Sequence, residues 1–262
     1  MLKLNISIST NLGKCRKNNE DNFYLNKNTD HELRDFSEKY QTELSENMIF
    51  AVCDGMGGES FGEVASECAV SVLDEYSSKI KEAYELSVQK KIVNNYATEA
   101  NNRICDEIFK FDGARGGTTL VLACIRDNVL SAYYLGDSRM YMYRSGVLTR
   151  ITRDHTVAYE KVDANIYTEE EADKSPDAHK LTMFLGVDTD KHGLSAEFAG
   201  TYTLTSGDKF LLCSDGLTDM CTADEIQQIL DMECDNTAQE LVDTALYNGG
   251  KDNVTCLVIE VI

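Results

Sequence analysis

An α+β fold, with a mainly antiparallel β core flanked by helices, is the architecture this 262-residue sequence predicts. Three observations predict it. Period-two alternation marks strands at the start of the chain and through its middle. Turn pairs join the middle strands into a meander, and the helical stretches come in separate pairs instead of alternating strictly with strands.

Leu2, Leu4, Ile6 and Ile8 share one face of a first strand, and a second short strand follows at Asn22–Asn26. The polar stretch Lys27–Asn47 reads as a surface insertion with room for a short helix. The apolar run MIFAVC (48–53) is a buried strand that ends in Asp54-Gly55-Met56-Gly57-Gly58. Ser60 with Glu63 makes a capping box for a long helix in which Val64, Cys68, Val72 and Tyr76 recur at helical spacing. A second helix over about 81–110 turns Ile92, Tyr96, Ile104 and Ile108 inward and breaks at Gly113–Gly117.

Four strands follow, Thr118–Arg126, Val129–Gly136, Met140–Arg144 and Val147–Thr152, separated by Asp127-Asn128, Asp137-Ser138-Arg139 and Ser145-Gly146. Residues 154–192 lose the alternation, hold the only proline (Pro176) and the acidic run Thr168–Asp173, and read as a mobile surface segment. Strands resume at about 196–204 and 209–213. Two capped helices, Thr222 with Glu225 and Thr237 with Glu240, lead to a last strand, Val254–Val261. No repeat or linker divides the chain, so a single domain over residues 1–262 is expected.

Composition narrows the function. With 45 Asp+Glu against 25 Lys+Arg the net charge is −20, which opposes nucleic acid and anionic membranes as partners. Nine cysteines without a C-x-x-C pair, most within apolar runs, read as reduced core residues. The N-terminus lacks the apolar core of a signal peptide, and no run approaches the roughly 18 apolar residues of a membrane span, so a cytoplasmic location is expected.

Acidic residues recur where predicted strands begin or end: Glu20-Asp21, Asp54, Asp137, Asp215 and Asp252. Any one of them reads as a turn residue. Together they suggest a site, because a carboxylate next to an apolar run is costly unless paired or bound to metal. Carboxylates with a glycine-freed carbonyl suit Mg²⁺ or Mn²⁺, whereas zinc calls for His and Cys. His31, His155, His179 and His192 have no ligand spacing and read as surface or structural. Arg16, in the basic cluster 14–17 ahead of Glu20, is placed to grip a phosphate, or is an exposed strand-edge charge. No C-x₅-R, P-loop, H-E-x-x-H or G-x-S-x-G pattern offers another route to the chemistry.

In order, GKCRKNNEDNF (13–23), VCDGMGG (52–58), GGTTL (116–120), YLGDSRMY (134–141), ITRDHT (151–156), CSDGLTD (213–219) and GGKDNVT (249–255) resemble the metal-dependent protein phosphatase family, type 2C, and its compact bacterial members. The resemblance covers nearly the whole chain. It implies a β-sandwich between two layers of helices (αββα), with a flap at about 155–192, and a Ser/Thr protein phosphatase that uses two Mn²⁺ or Mg²⁺ ions. Asp54 would bridge the ions, with the Gly55 carbonyl on one and Asp215 and Asp252 on the other. Glu20 and Asp21 would bind or orient metal-bound waters, Arg16 would hold the phosphate, and Asp137 with Asp215 would form a weaker third site. The ion pair would yield a hydroxide for in-line attack on phosphorus.

Two departures stand out. Met56 occupies a position where eukaryotic relatives often carry a histidine, and Lys180-Leu181-Thr182-Met183 replaces the usual close of the flap. By the same resemblance the partners are phosphorylated proteins, including a Ser/Thr kinase and its targets in signal transduction, and nothing demands more than a monomer. Two other readings remain: a catalytically weak regulatory binding module of the same fold, and a hydrolase of small phosphoesters or phosphodiesters.

Overall fold

Alternation in β1 (Lys3–Asn11) sends Leu4, Ile6 and Ile8 to one side, where all three are fully buried. The structure is a computed structural model and describes residues 2–26, 35–44, 47–57, 61–110, 115–188 and 193–262. After β1 come β2 (Asn22–Leu25), β3 (Asp35–Glu43), β4 (Met48–Cys53), β5 (Gly55–Gly57), α1 (Phe61–Glu82), α2 (Leu86–Ile108) and β6 (Gly116–Thr118). The middle of the chain forms β7 (Leu120–Arg126), β8 (Val129–Leu135), β9 (Arg139–Arg144), β10 (Val147–Arg150), α3 (Val157–Asp163) and α4 (Glu169–Asp173). Then follow β11 (Glu197–Thr203), β12 (Lys209–Cys213), α5 (Asp215–Thr218), α6 (Ala223–Asp231), α7 (Thr237–Tyr247) and β13 (Val254–Val261).

A six-stranded sheet, β10-β9-β12-β13-β1-β3, faces a five-stranded sheet, β11-β8-β7-β4-β2. Between them lie Leu4, Ile6 and Ile8 with Phe50, Val52, Phe210, Leu212 and Ile259. The outer face of the five-stranded sheet packs Ile49, Ala51 and Leu122 against Leu73, Val93 and Tyr96 of α1 and α2. The outer face of the six-stranded sheet packs Leu211 and Val258 against Ile226, Leu230 and Leu241 of α6 and α7. The result is the expected αββα order of layers. β4 is buried along its whole length because alternate residues serve the helix layer and the sandwich, which is why its sequence is a continuous apolar run. Each such side chain contributes about 1.5–3 kcal/mol of burial.

Several expectations need correction. The stretch 27–47 was read as a surface insertion with room for a short helix; residues 27–34 and 45–46 lie outside the described residues, and 35–43 form β3, which pairs with β1 from Lys3↔Glu43 to Asn11↔Asp35. Phe36 and Tyr40, spaced by an even number, reach the sandwich core, and the rest of this edge strand is charged or polar in sequence. The helix expected over 81–110 begins at Leu86, since α1 runs on to Glu82. Its expected break at Gly113–Gly117 comes earlier, at Ile108, and Gly116–Thr118 pairs with β5. Ser60, the expected first cap, lies outside the described residues, as do His31 and His192. Thr222 and Glu225 do form a capping box, but α7 is capped by Asn236, which accepts from the Gln239 N–H, and not by Thr237.

The segment after residue 154 contains α3 and α4. They share a small core of Ala158, Tyr159 and Ala172, and a Thr168–Glu171 capping box starts α4. All nine cysteines are free; Cys53, Cys124, Cys213, Cys221 and Cys256 are buried and Cys15 is exposed. No helix among the described residues is long and apolar enough to cross a membrane.

Candidate active site

Strand ends carry the acidic residues. β4 hands the chain to Asp54, β8 ends two residues before Asp137, β12 ends two before Asp215, Asp252 stands two ahead of β13, and Asp21 immediately precedes β2. β2 and β7 run antiparallel to β4, β8 runs antiparallel to β7, and β12 runs antiparallel to β13, so within each sheet these positions fall at one end. There, a cavity of 380 Å³ is lined by seven of the eight predicted residues: Arg16, Glu20, Asp54, Gly55, Asp137, Asp215 and Asp252.

The eighth, Asp21, lies behind the cavity. Its Oδ2 accepts from Ser214 Oγ and Thr255 Oγ1, both at 2.7 Å, while among the described residues its buried Oδ1 meets no donor. Burial, then the charges of Asp215 and Asp252, push Asp21 up to about 7.

Backbone and side-chain bonds fix each position. The Asp54 N–H donates to Thr119 Oγ1, and its carbonyl accepts from Thr119 N–H and Thr118 Oγ1, all at 2.9 Å. Thr119 Oγ1 in turn lies 2.6 Å from Ser138 Oγ, which ties the Asp54 strand end to the turn carrying Asp137. Gly55 and Gly62 cannot be replaced without displacing Glu20. A Cβ on Gly55 would lie 2.5 Å from the Glu20 carbonyl, and one on Gly62 would lie 2.6 Å from Glu20 Oε2. Arg16 Nη2 donates to Asp252 Oδ2, a bond that raises the already basic guanidinium further.

The electrostatics ask for positive charge. Burial first, then Asp21, Asp215, Asp137 and Asp252, holds Asp54 well above the usual carboxylate range. Burial first, then Asp215 and Asp154, does the same to Asp137, and burial raises Glu20. A divalent cation would let these groups ionise together, and it would give Asp21 Oδ1 a polarised neighbour. The donors are carboxylate and carbonyl oxygens, so the set fits a hard ion such as Mg²⁺ or Mn²⁺.

A model of the family described as Protein phosphatase 2C matches residues 30–248. The chain belongs to that family. Arg16, Glu20, Asp21 and Asp252 fall outside the matched segment, but the alignments with relatives span nearly the whole chain. It is 32% identical to the protein phosphatase PhpP of Streptococcus pneumoniae over 264 residues, which cover 98% of this chain and 97% of PhpP. It is 30% identical to the serine/threonine protein phosphatase PstP of Mycobacterium tuberculosis over 271 residues, and spans only 46% of PstP's length.

Solved structures agree. The catalytic domain of PstP, in complex with two manganese ions, matches with a TM-score of 0.78 at 29% identity, covering 100% of both chains. The serine/threonine phosphatase Stp1 of Staphylococcus aureus matches with a TM-score of 0.81 at 27% identity, covering 97% of this chain and 94% of Stp1.

In this member of the protein phosphatase 2C family the cavity also holds residues that the sequence did not single out. His179 Nδ1 lies 3.8 Å from Asp215 Oδ2 and 3.9 Å from Asp219 Oδ2. Asp215, ahead of Asp219, raises His179 to about 9, so the imidazole is cationic at neutral pH. Burial, then Asp215, raises Asp219 to about 6. These three side chains can bring one ligand atom each to within 4.8 Å of the others. Asp219 had a signal, since it follows Asp215 by one helical turn in CSDGLTD. His179 had none, because it meets its partners only through the fold.

His155, by contrast, is structural as expected. Its Nδ1 accepts from the Gly136 N–H at 3.1 Å, Nε2 pairs with Glu197 at 2.9 Å, and the ring stacks on Tyr134. Met56 lines the cavity beside Asp54, and Leu181 brings the altered close of the flap to the same wall.

Proposed function

We propose that this chain is a metal-dependent protein-serine/threonine phosphatase. The observation that carries the reading is the convergence of Asp54, Asp137, Asp215 and Asp252 on one small cavity that also presents Arg16, with the orphaned Asp21 Oδ1 buried behind it. Asp54 and the Gly55 carbonyl, with Asp215 and Asp252, hold two Mn²⁺ or Mg²⁺ ions, as the two manganese ions of the PstP catalytic domain suggest. Asp137 with Asp215 holds a weaker third. Bound ions supply Lewis acidity that activates water and neutralises phosphoryl oxygens. Glu20 and Asp21 orient water at the site. Arg16 releases Asp252 and grips two oxygens of the substrate phosphate, a bidentate contact that fixes the phosphorus for attack.

The whole chain serves as one catalytic domain, with the flap at about 155–192 beside the site. It acts as a monomer in the cytoplasm, in signal transduction, on phosphorylated proteins that include a Ser/Thr kinase and its targets. The names of PhpP and PstP support the substrate class. Phosphothreonine-peptide hydrolysis by the wild type and Asp215→Asn, with EDTA, Mg²⁺ or Mn²⁺, tests the proposal. Mn²⁺ should restore turnover after EDTA, and the variant should lose at least about 10²-fold. Turnover that ignores metal, or a variant as active as the wild type, would overturn it.

A further inference from the structure

Beside the catalytic cavity lies a larger one of 1030 Å³, and Met56, Gly57 and Leu181 line both. The two share that wall. One carries the carboxylates, and the other is a mainly apolar trough. Ile108 and Phe109 at the end of α2 contribute to it, as do Met183, Phe184 and Val187 from the chain beyond α4. Phe109 is 68% exposed, a large apolar surface left open to solvent at this place.

One wall of the trough, residues 185–187, is tied to β6 and α2. Thr118 and Leu185 exchange two backbone hydrogen bonds of 2.9 Å, which stitch the end of the flap to β6. The buried Asn101 side chain accepts from the N–H groups of Gly186 (2.7 Å) and Val187 (3.0 Å) and donates to the Val187 carbonyl (3.1 Å). A Cβ on Gly117 would fall 2.4 Å from the Leu185 carbonyl, so the two segments are in closest backbone contact. A ligand that packs on this wall meets backbone whose hydrogen bonds are already made.

We infer that this trough receives the substrate chain next to the phosphoresidue and selects for a large apolar side chain there. The inference rests on the phosphatase reading above. A phosphoryl group among the carboxylates leaves the rest of its peptide to cross the cavity's rim, and part of that rim, Met56, Gly57 and Leu181, is also the trough's wall. An extended chain advances about 3.3 Å per residue, so the four residues on either side of the phosphoresidue span about 13 Å of the surface around the catalytic cavity. Its volume is that of sites that enclose a ligand group. The charged groups lining it are mostly acidic, Glu160, Asp188 and Glu197 with Arg115, in a chain of net charge −20, so acidic flanks are disfavoured.

The test uses the full chain with Mn²⁺ and phosphothreonine peptides in which one leucine is moved through the four positions on either side, in otherwise uncharged polar flanks. The readout is the ratio of kcat/KM for each leucine peptide to that of the serine parent. One or two positions should give a ratio of about ten, and the exposed-site variant Phe109→Ser should bring it to within about twofold of one. Ratios near one at every position, or a ratio unchanged in Phe109→Ser, would overturn the inference while leaving the phosphatase reading intact. If no peptide is hydrolysed with either Mn²⁺ or Mg²⁺, the phosphatase reading fails, and fluorescence anisotropy of the same labelled peptides decides the trough. Leucine-dependent binding lost in Phe109→Ser sustains it, and equal binding of all peptides overturns it.

Discussion

Asn253 shows how one side chain outside the cavity lining can position the site. Its Oδ1 accepts from the Glu20 N–H, and its Nδ2 donates to the carbonyls of Leu12 and Asn18, all at 2.9 Å. The loop that carries Arg16 and Glu20 is thereby clamped to the segment that carries Asp252. Asn253→Ala removes this three-way partner. It should cost about 2 kcal/mol of stability in urea denaturation and lower kcat/KM by about tenfold or more, because the phosphate-gripping loop loses its register with the carboxylates. A variant with wild-type kcat/KM would show that Arg16 and Glu20 are held by other means. At this scale the sequence was legible where chemistry is written in residue type: Asp54, Asp137 and Asp215 could be picked out because a carboxylate after an apolar strand is anomalous, and Asp252 because it recurs at a strand's start. Asn253 and His179 could not, since an amide or imidazole becomes informative only when its partners, up to 241 residues away for Asn253, are known.

Between β9 and the flap helices, one partly buried network joins elements that local sequence leaves unrelated. Arg139 Nη2 donates to Asp154 Oδ2 at 2.7 Å and to Asp173 of α4 at 2.9 Å, Arg150 also bonds Asp154, and Tyr159 of α3 donates to Asp173 at 3.1 Å. Asp154 is almost wholly buried, and these arginines are the ion-pair partners that a buried carboxylate requires. Arg139→Met should destabilise the protein by on the order of 3 kcal/mol, read by urea denaturation, because it leaves that carboxylate with Arg150 as its one ion-pair partner among the described residues and removes one of the ties to α4. A loss below about 1 kcal/mol would mean that Arg150 alone satisfies Asp154. Elements were legible in proportion to their burial. The strand β4 announces itself, whereas β3 holds only Phe36 and Tyr40 against the core amid charged residues. The two-stranded sheet of β5 and β6, strands separated in the chain by α1 and α2, is built mainly from glycines that strand propensity counts against.

For the molecule as a whole, the crowding of carboxylates at one end of the sandwich makes stability depend on pH and on metal together. In the metal-free protein Asp21 titrates near 7 against an ordinary 3.8, Asp219 near 6, and His179 near 9 against an ordinary 6.5, while Asp54 and Asp137 are also raised. Every one of these shifts has the same sign: between its ordinary and its raised value, the native state holds a proton that the unfolded chain has released. Stability contributed by the carboxylates is therefore full below about pH 4 and is lost as pH rises towards 7, and that contributed by His179 is lost between about 6.5 and 9. The net charge of −20 adds self-repulsion in the same direction. Divalent ions bind the deprotonated carboxylates, so their stabilisation grows as the protein's own declines. Thermal unfolding in EDTA should show Tm falling by several degrees from pH 5 to pH 8, while saturating Mn²⁺ should raise Tm more at pH 7.5 than at pH 5. A metal-free Tm that rises over this range, or a Mn²⁺ shift independent of pH, would show that the carboxylates are not the groups whose ionisation the metal supports.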